Sequence, residues 1–175
     1  MKTLYILRHA HAEPRGSSLS DFDRPLDERG RGESSSVADY INQKGMQFDL
    51  VMCSAALRTQ ETLEPLRSVI GTREIEISQS FYNASEDKIL TQVQHIADRM
   101  DTVLYVGHNP GVAFAILKFA ATFPEFLLEG VKPATLVGFR FSVDKWKDVN
   151  WREGEIIEIY QPPLSAPEVP EPKES

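Results

Sequence analysis

The feature that most constrains this chain is an alternation. Short apolar runs of strand length are each followed by a stretch of helical length, and the pattern repeats over the first two thirds of the sequence. Residues 3–7, 49–53, 74–77 and 102–106 are apolar runs too short to hold a helix alone and long enough for a buried strand. Between them, Asp27 is placed to cap a helix running to Lys44, with Gly45 as its stop. A second helical stretch covers residues 56–70, and Pro65 should kink or divide it. Ser85 caps a third, in which Ile89, Leu90, Val93, Ile96 and Ala97 share one face. A fourth starts at Pro110 and is apolar almost throughout to Ala121, which predicts deep burial.

Strands alternating with helices predict an α/β fold: a three-layer α/β/α sandwich with a mainly parallel central sheet. Residues 135–143 and 155–160 read as a hairpin at the sheet edge. The polar segment 13–24, with Pro14 and Gly16, reads as a surface loop. With 41% apolar residues in 175, the chain has material for one sizeable core and too little for two domains, so residues 1–161 are expected to form one domain. Residues 162–175 are rich in Pro and Glu and predict a disordered tail.

A net charge of −7 argues against affinity for nucleic acid or anionic lipid, since both draw on clustered Lys and Arg. No run is apolar enough to span a membrane, and the N-terminus lacks a signal-peptide pattern, so a cytoplasmic monomer is expected. Cys53 is the single cysteine and reads as a buried, inert thiol.

In parallel α/β sheets, ligands bind beyond the carboxyl ends of the strands. Three such ends here carry cationic groups: Arg8-His9, the segment from Ser54 to Arg58, and Gly107-His108-Asn109. One histidine at a strand end is unremarkable. Two of them joined by two arginines point to an anion, since an arginine fork meets the oxygens of carboxylates and phosphates in pairs.

The residues around these positions resemble a known family. Leu7-Arg8-His9-Ala10, Arg24-Pro25-Leu26 with Gly30, Cys53-Ser54 through Arg58-Thr59-Gln60-Glu61-Thr62, and Val106-Gly107-His108-Asn109-Pro110 are similar to the signature blocks of the histidine phosphatase superfamily, also called phosphoglycerate mutase-like. A short chain without an inserted cap looks most like the SixA-type phosphohistidine phosphatases. Ala10 stands where the family usually has glycine, and Asp27 where it usually has threonine. The resemblance implies that a backbone carbonyl holds one ring nitrogen of His9.

Phosphoryl transfer spreads charge over three oxygens and needs fixed donors around them, with a nucleophile in line. Arg8, Arg58 and His108 are the candidate donors and His9 the nucleophile, attacking through a neutral imidazole nitrogen. His108 should carry a proton when it binds phosphate. The Ser54 hydroxyl and the Asn109 backbone N–H are candidate secondary contacts. No metal and no other cofactor is implied: His9-x-His11 has a spacing seen at metal sites, but no HExxH-like set of further ligands accompanies it. His11 is assigned to the pocket rim and His95 to solvent.

Relatives that cleave phosphate esters usually carry an acid after the third strand, where this chain has Asn83. Glu86 and Asp87 follow, in positions explained by the helix dipole. A protonated phosphohistidine leaves as neutral imidazole and needs no acid, so a phosphohistidine-bearing protein is the expected substrate. A small phosphorylated substrate, with Glu86 as acid, and a non-catalytic phosphoprotein-binding module are the alternatives.

Overall fold

The computed structural model describes residues 1–16, 19–72 and 74–164. Most of the Pro/Glu tail, residues 165–175, lies outside the described residues, so the expectation of disorder falls there. The elements follow the predicted order: β1 (Lys2–Arg8), α1 (Glu28–Lys44), β2 (Leu50–Ser54), α2 (Leu57–Leu63), β3 (Glu74–Ser78), α3 (Glu86–Gln94), β4 (Thr102–Gly107), α4 (Gly111–Phe119), β5 (Leu136–Phe141) and β6 (Glu155–Tyr160).

These strands form one six-stranded sheet in the order β3-β2-β4-β1-β5-β6. The first four are mutually parallel, whereas β5 runs antiparallel to β1 and β6 antiparallel to β5. The sheet is therefore mixed and not mainly parallel as expected. Crossover helices bring β2, β3 and β4 back in the same direction as β1, whereas the stretch after β4, which holds α4 and a 3-10 turn (Glu125–Glu129), brings β5 in beside β1 in the opposite sense.

Period-two alternation divides the strand side chains between two buried clusters. Leu4, Ile6, Met52, Val103 and Tyr105 pack with Ile89 and Val93 of α3 and with Val112, Ile116 and Phe119 of α4. Leu7, Val51, Cys53, Leu104 and Val106 pack with Val37, Ala38 and Ile41 of α1 and Leu63 of α2. Each fully buried Leu, Ile or Phe contributes roughly 1.5–3 kcal/mol, so both clusters matter to stability. Cys53 is fully buried, and burial pushes its thiol up to about 12, consistent with an inert side chain.

The helix ends obey local chemistry. Asp27 caps α1 by accepting from Gly30 N at 2.8 Å, and Gly45 closes it in the left-handed conformation at φ 62°. Gly30 is required for space, because a Cβ there would stand 1.8 Å from the carbonyl oxygen of His11. Pro65 ends α2 in a 3-10 turn (Glu64–Leu66), dividing the stretch read as one helix. Two expectations need correction. The helix capped by Ser85 stops at Gln94, so Ile96 and Ala97 lie past its end. In α4, Phe114 and Leu117 are exposed, so that helix buries one face only. Among the described residues, no helix is long and apolar enough to cross a membrane.

Candidate active site

β1 and β4 are adjacent, with Arg8 opposite Gly107 in register. His9 and His108 therefore leave the sheet side by side, and their rings lie 5.3 Å apart between centroids. They open into a cavity of about 280 Å³. Arg8, His9 and His11 reach it from the end of β1, Arg15 and Arg24 from the following loop, and Arg58 from the first turn of α2. Ala12, Asn83, His108, Asn109 and Pro133 complete its lining. Arg8, His9, Arg58, His108 and Asn109, far apart in the chain, thus meet around one space.

Ser54 is placed differently. It is fully buried and does not line the cavity; its hydroxyl accepts from Ala56 N and pairs at 2.7 Å with His108 Nε2. Its hydroxyl lies against the His108 ring and not among the residues that line the cavity.

His9 Nδ1 lies 2.7 Å from the Ala10 carbonyl oxygen. A carbonyl only accepts, so Nδ1 carries the proton of the neutral ring and Nε2 keeps its lone pair. Burial is the main force pushing the His9 pKa down to about 3; the Ala10 bond works against it, and His108, Arg58 and Arg8 add to the lowering. His108 is likewise pushed down to about 3, first by burial and then by Arg58. Against the protein's own charges both rings are neutral at physiological pH. The proton expected on His108 would have to arrive with an anion that reverses the local field.

Residues that line the cavity carry polar atoms that the protein leaves unpaired. Nε of Arg8, Arg24 and Arg58 and Nδ1 of His108 are buried without a hydrogen-bond partner among the described residues. Burying an unpaired polar group costs on the order of 1–3 kcal/mol, and the acceptor Asn109 Oδ1 is unpaired in the same way, so the residues around the cavity carry several polar groups that the protein itself does not satisfy.

The loop from 13 to 24 supplies residues that the sequence reading did not assign to the site. Asp21 accepts from Arg58 Nη2 at 3.1 Å, Arg24 Nη2 at 3.0 Å and the Tyr82 hydroxyl at 2.6 Å, and its backbone oxygen accepts from Arg58 Nη1 at 2.6 Å. The Tyr82 bond is the largest influence holding the Asp21 carboxyl well below the usual carboxylate range, ahead of the arginines. Asp21 thereby separates two guanidinium groups that would otherwise repel each other and fixes both beside the cavity. Its one sequence signal was that Asp21 lies three residues before the motif block that starts at Arg24.

Asn83 lines the cavity in the left-handed region at φ 48°, a conformation asparagine tolerates. Glu86 does not line it, and its carboxylate pairs with Lys118 Nζ at 3.0 Å. Among the described residues, no group of three or more His, Cys, Asp or Glu side chains is arranged to hold a metal ion.

The profile of the histidine phosphatase superfamily (branch 1) matches residues 4–85, somewhat less than half of the chain. The fold is that of SixA structures. A structure named SixA from Agrobacterium tumefaciens superposes with a TM-score of 0.80 at 23% identity, covering 92% of this chain and 98% of that one. A second, from Nakamurella multipartitia, gives 0.76 at 25% identity, covering 92% and 96%. An uncharacterized chloroplastic protein of Arabidopsis thaliana is 32% identical over 120 residues, 63% of this chain. The match spans 55% of that relative's own length.

Proposed function

We propose that the protein is a phosphatase that passes the phosphoryl group through His9 and takes it from phosphohistidine on proteins. One observation carries the reading: His9, with Nδ1 tied to a carbonyl and Nε2 free, lines one cavity together with Arg8, Arg58 and His108. Nε2 attacks phosphorus while the substrate's bond to phosphorus breaks. Arg8 and Arg58 meet the phosphoryl oxygens, His108 supplies a further donor, and Asn109 borders the same space. Arg24, which lines the same cavity, joins them as a fifth group.

The substrate class follows from what the cavity lacks. An alkyl ester releases an alkoxide that must be protonated, yet Asn83 cannot give a proton, Glu86 is held by Lys118 outside the cavity, Asp21 is locked in its ionised form, and His11, with Nδ1 turned to Asp27, meets the cavity with an acceptor nitrogen. Phosphohistidine protonated on its second nitrogen leaves as neutral imidazole and asks for no acid. Residues 1–161 would form the catalytic unit.

The test compares hydrolysis of a phosphohistidine protein, an aryl phosphate and an alkyl phosphate by the wild type and His9→Ala. The first two should turn over, with an acid-labile phosphoryl adduct on His9, and the alkyl ester should lag far behind. Unchanged activity of His9→Ala, or an alkyl ester cleaved as fast as phosphohistidine, overturns the assignment.

A further inference from the structure

Resting on that reading, we propose that His11, oriented by Asp27, is the general base that activates the water which clears phosphate from His9. Hydrolysis of the adduct differs from its formation in one respect: the attacking water must shed a proton, and something at the cavity must take it. Of the cavity's side chains, the arginines never give up their protons and Asn83 has no exchangeable one near neutrality. Three histidines remain. His9 bears the phosphoryl group and His108 Nε2 is engaged with Ser54, which leaves His11.

His11 is held in a way that a merely exposed histidine would not need. Its Nδ1 lies 2.5 Å from Asp27 Oδ2, its backbone N–H donates to Glu33 at 2.8 Å, and its carbonyl accepts from Asp27 N at 3.3 Å. The first turn of α1 presses so closely on that carbonyl that only glycine fits at position 30. Glu33 is in turn anchored by Arg29 at 2.8 Å. With Nδ1–H given to a carboxylate, the neutral ring presents Nε2 as its acceptor, and the side chain is 38% exposed, so solvent reaches it.

The step balances. As the water oxygen bonds to phosphorus, the bond from phosphorus to His9 Nε2 breaks and its electron pair returns to the ring. His9 regains the neutral Nδ1–H form, the water's proton passes to His11 Nε2, and from there it goes to solvent. The Asp27 carboxylate stabilises the transient imidazolium.

Rapid-quench kinetics with p-nitrophenyl phosphate separate the two half-reactions. In His11→Gln, nitrophenol should appear in a first burst within about threefold of the wild-type rate, because an aryl leaving group needs no acid. Phosphorylated His9 should then accumulate, and turnover should fall about 100-fold, within the usual range for a general base. Imidazole in the buffer should restore turnover to His11→Ala. Asp27→Asn, which keeps a side-chain cap for Gly30, should accumulate the adduct to a lesser degree. The bonds fixing residue 11 other than the Asp27 contact are backbone bonds, so the His11 variants retain the fold, checked by their melting temperature. Turnover within threefold of wild type, or a burst slowed as much as turnover, overturns the role of His11. Failure of the wild type to form any adduct overturns the His9 mechanism itself, a result the same experiment distinguishes.

Discussion

Two neutral histidines buried beside a ring of arginines should make this protein unusually sensitive to mild acid. Both His9 and His108 are lowered from 6.5 to about 3, mainly by burial. Between those values the unfolded chain binds protons that the folded one excludes, so stability is lost as pH falls through that window. Going from about pH 7 to about pH 5 removes about 2 kcal/mol per histidine and about 4 kcal/mol for the pair. That is a large share of the roughly 5–15 kcal/mol that holds a domain folded. Asp21 and Asp27 titrate in the opposite sense: their folded values are depressed, so their contribution persists above the ordinary carboxylate range and is lost only below it. They leave the interval from 7 to 5 to the histidines. Urea unfolding at the two pH values should show the full loss in the wild type and no more than about 1 kcal/mol in a His9→Gln/His108→Gln double variant. Equal losses in both proteins would refute the claim that these rings are held neutral.

Arg58→Ala should lower kcat/KM toward an aryl phosphate about 100-fold, matching the roughly 3 kcal/mol lost with one transition-state donor; a rate within threefold of wild type would contradict its place in the clamp. Arg58→Lys should recover only part of the loss, since the charge returns without the planar fork. Two glycines of α1 should respond in opposite directions. Gly30→Ala forces a Cβ into the His11 carbonyl and should destabilise, whereas Gly32 faces open space and Gly32→Ala should gain up to about 1 kcal/mol from helix propensity, both measured by thermal melting.

What the sequence made legible was local. Asp27, Gly45 and Ser85 act within one turn of their helices, so caps and stops could be read from neighbouring residues. The strand-end histidines were legible because a five-residue apolar run followed by Arg8-His9 carries its own direction. The orientation of β5 was not, because nothing in residues 136–141 says which way they will pass β1. The role of Asp21 was hidden for the same physical reason: its partners Arg58 and Tyr82 lie 37 and 61 residues away. Ser54 was misplaced by one layer, since adjacency to a strand end does not say whether a side chain turns toward the cavity or behind its neighbour.

The pairing of Arg8 with Gly107 turns the sheet's hydrogen-bond ladder into a ruler for chemistry. The gap between the two imidazoles is fixed by the pitch of neighbouring strands and not by the connecting chain. Lengthening the loops between β1 and β4 should leave that gap untouched, whereas deleting a single residue within either strand would swing its histidine to the opposite face and separate the pair.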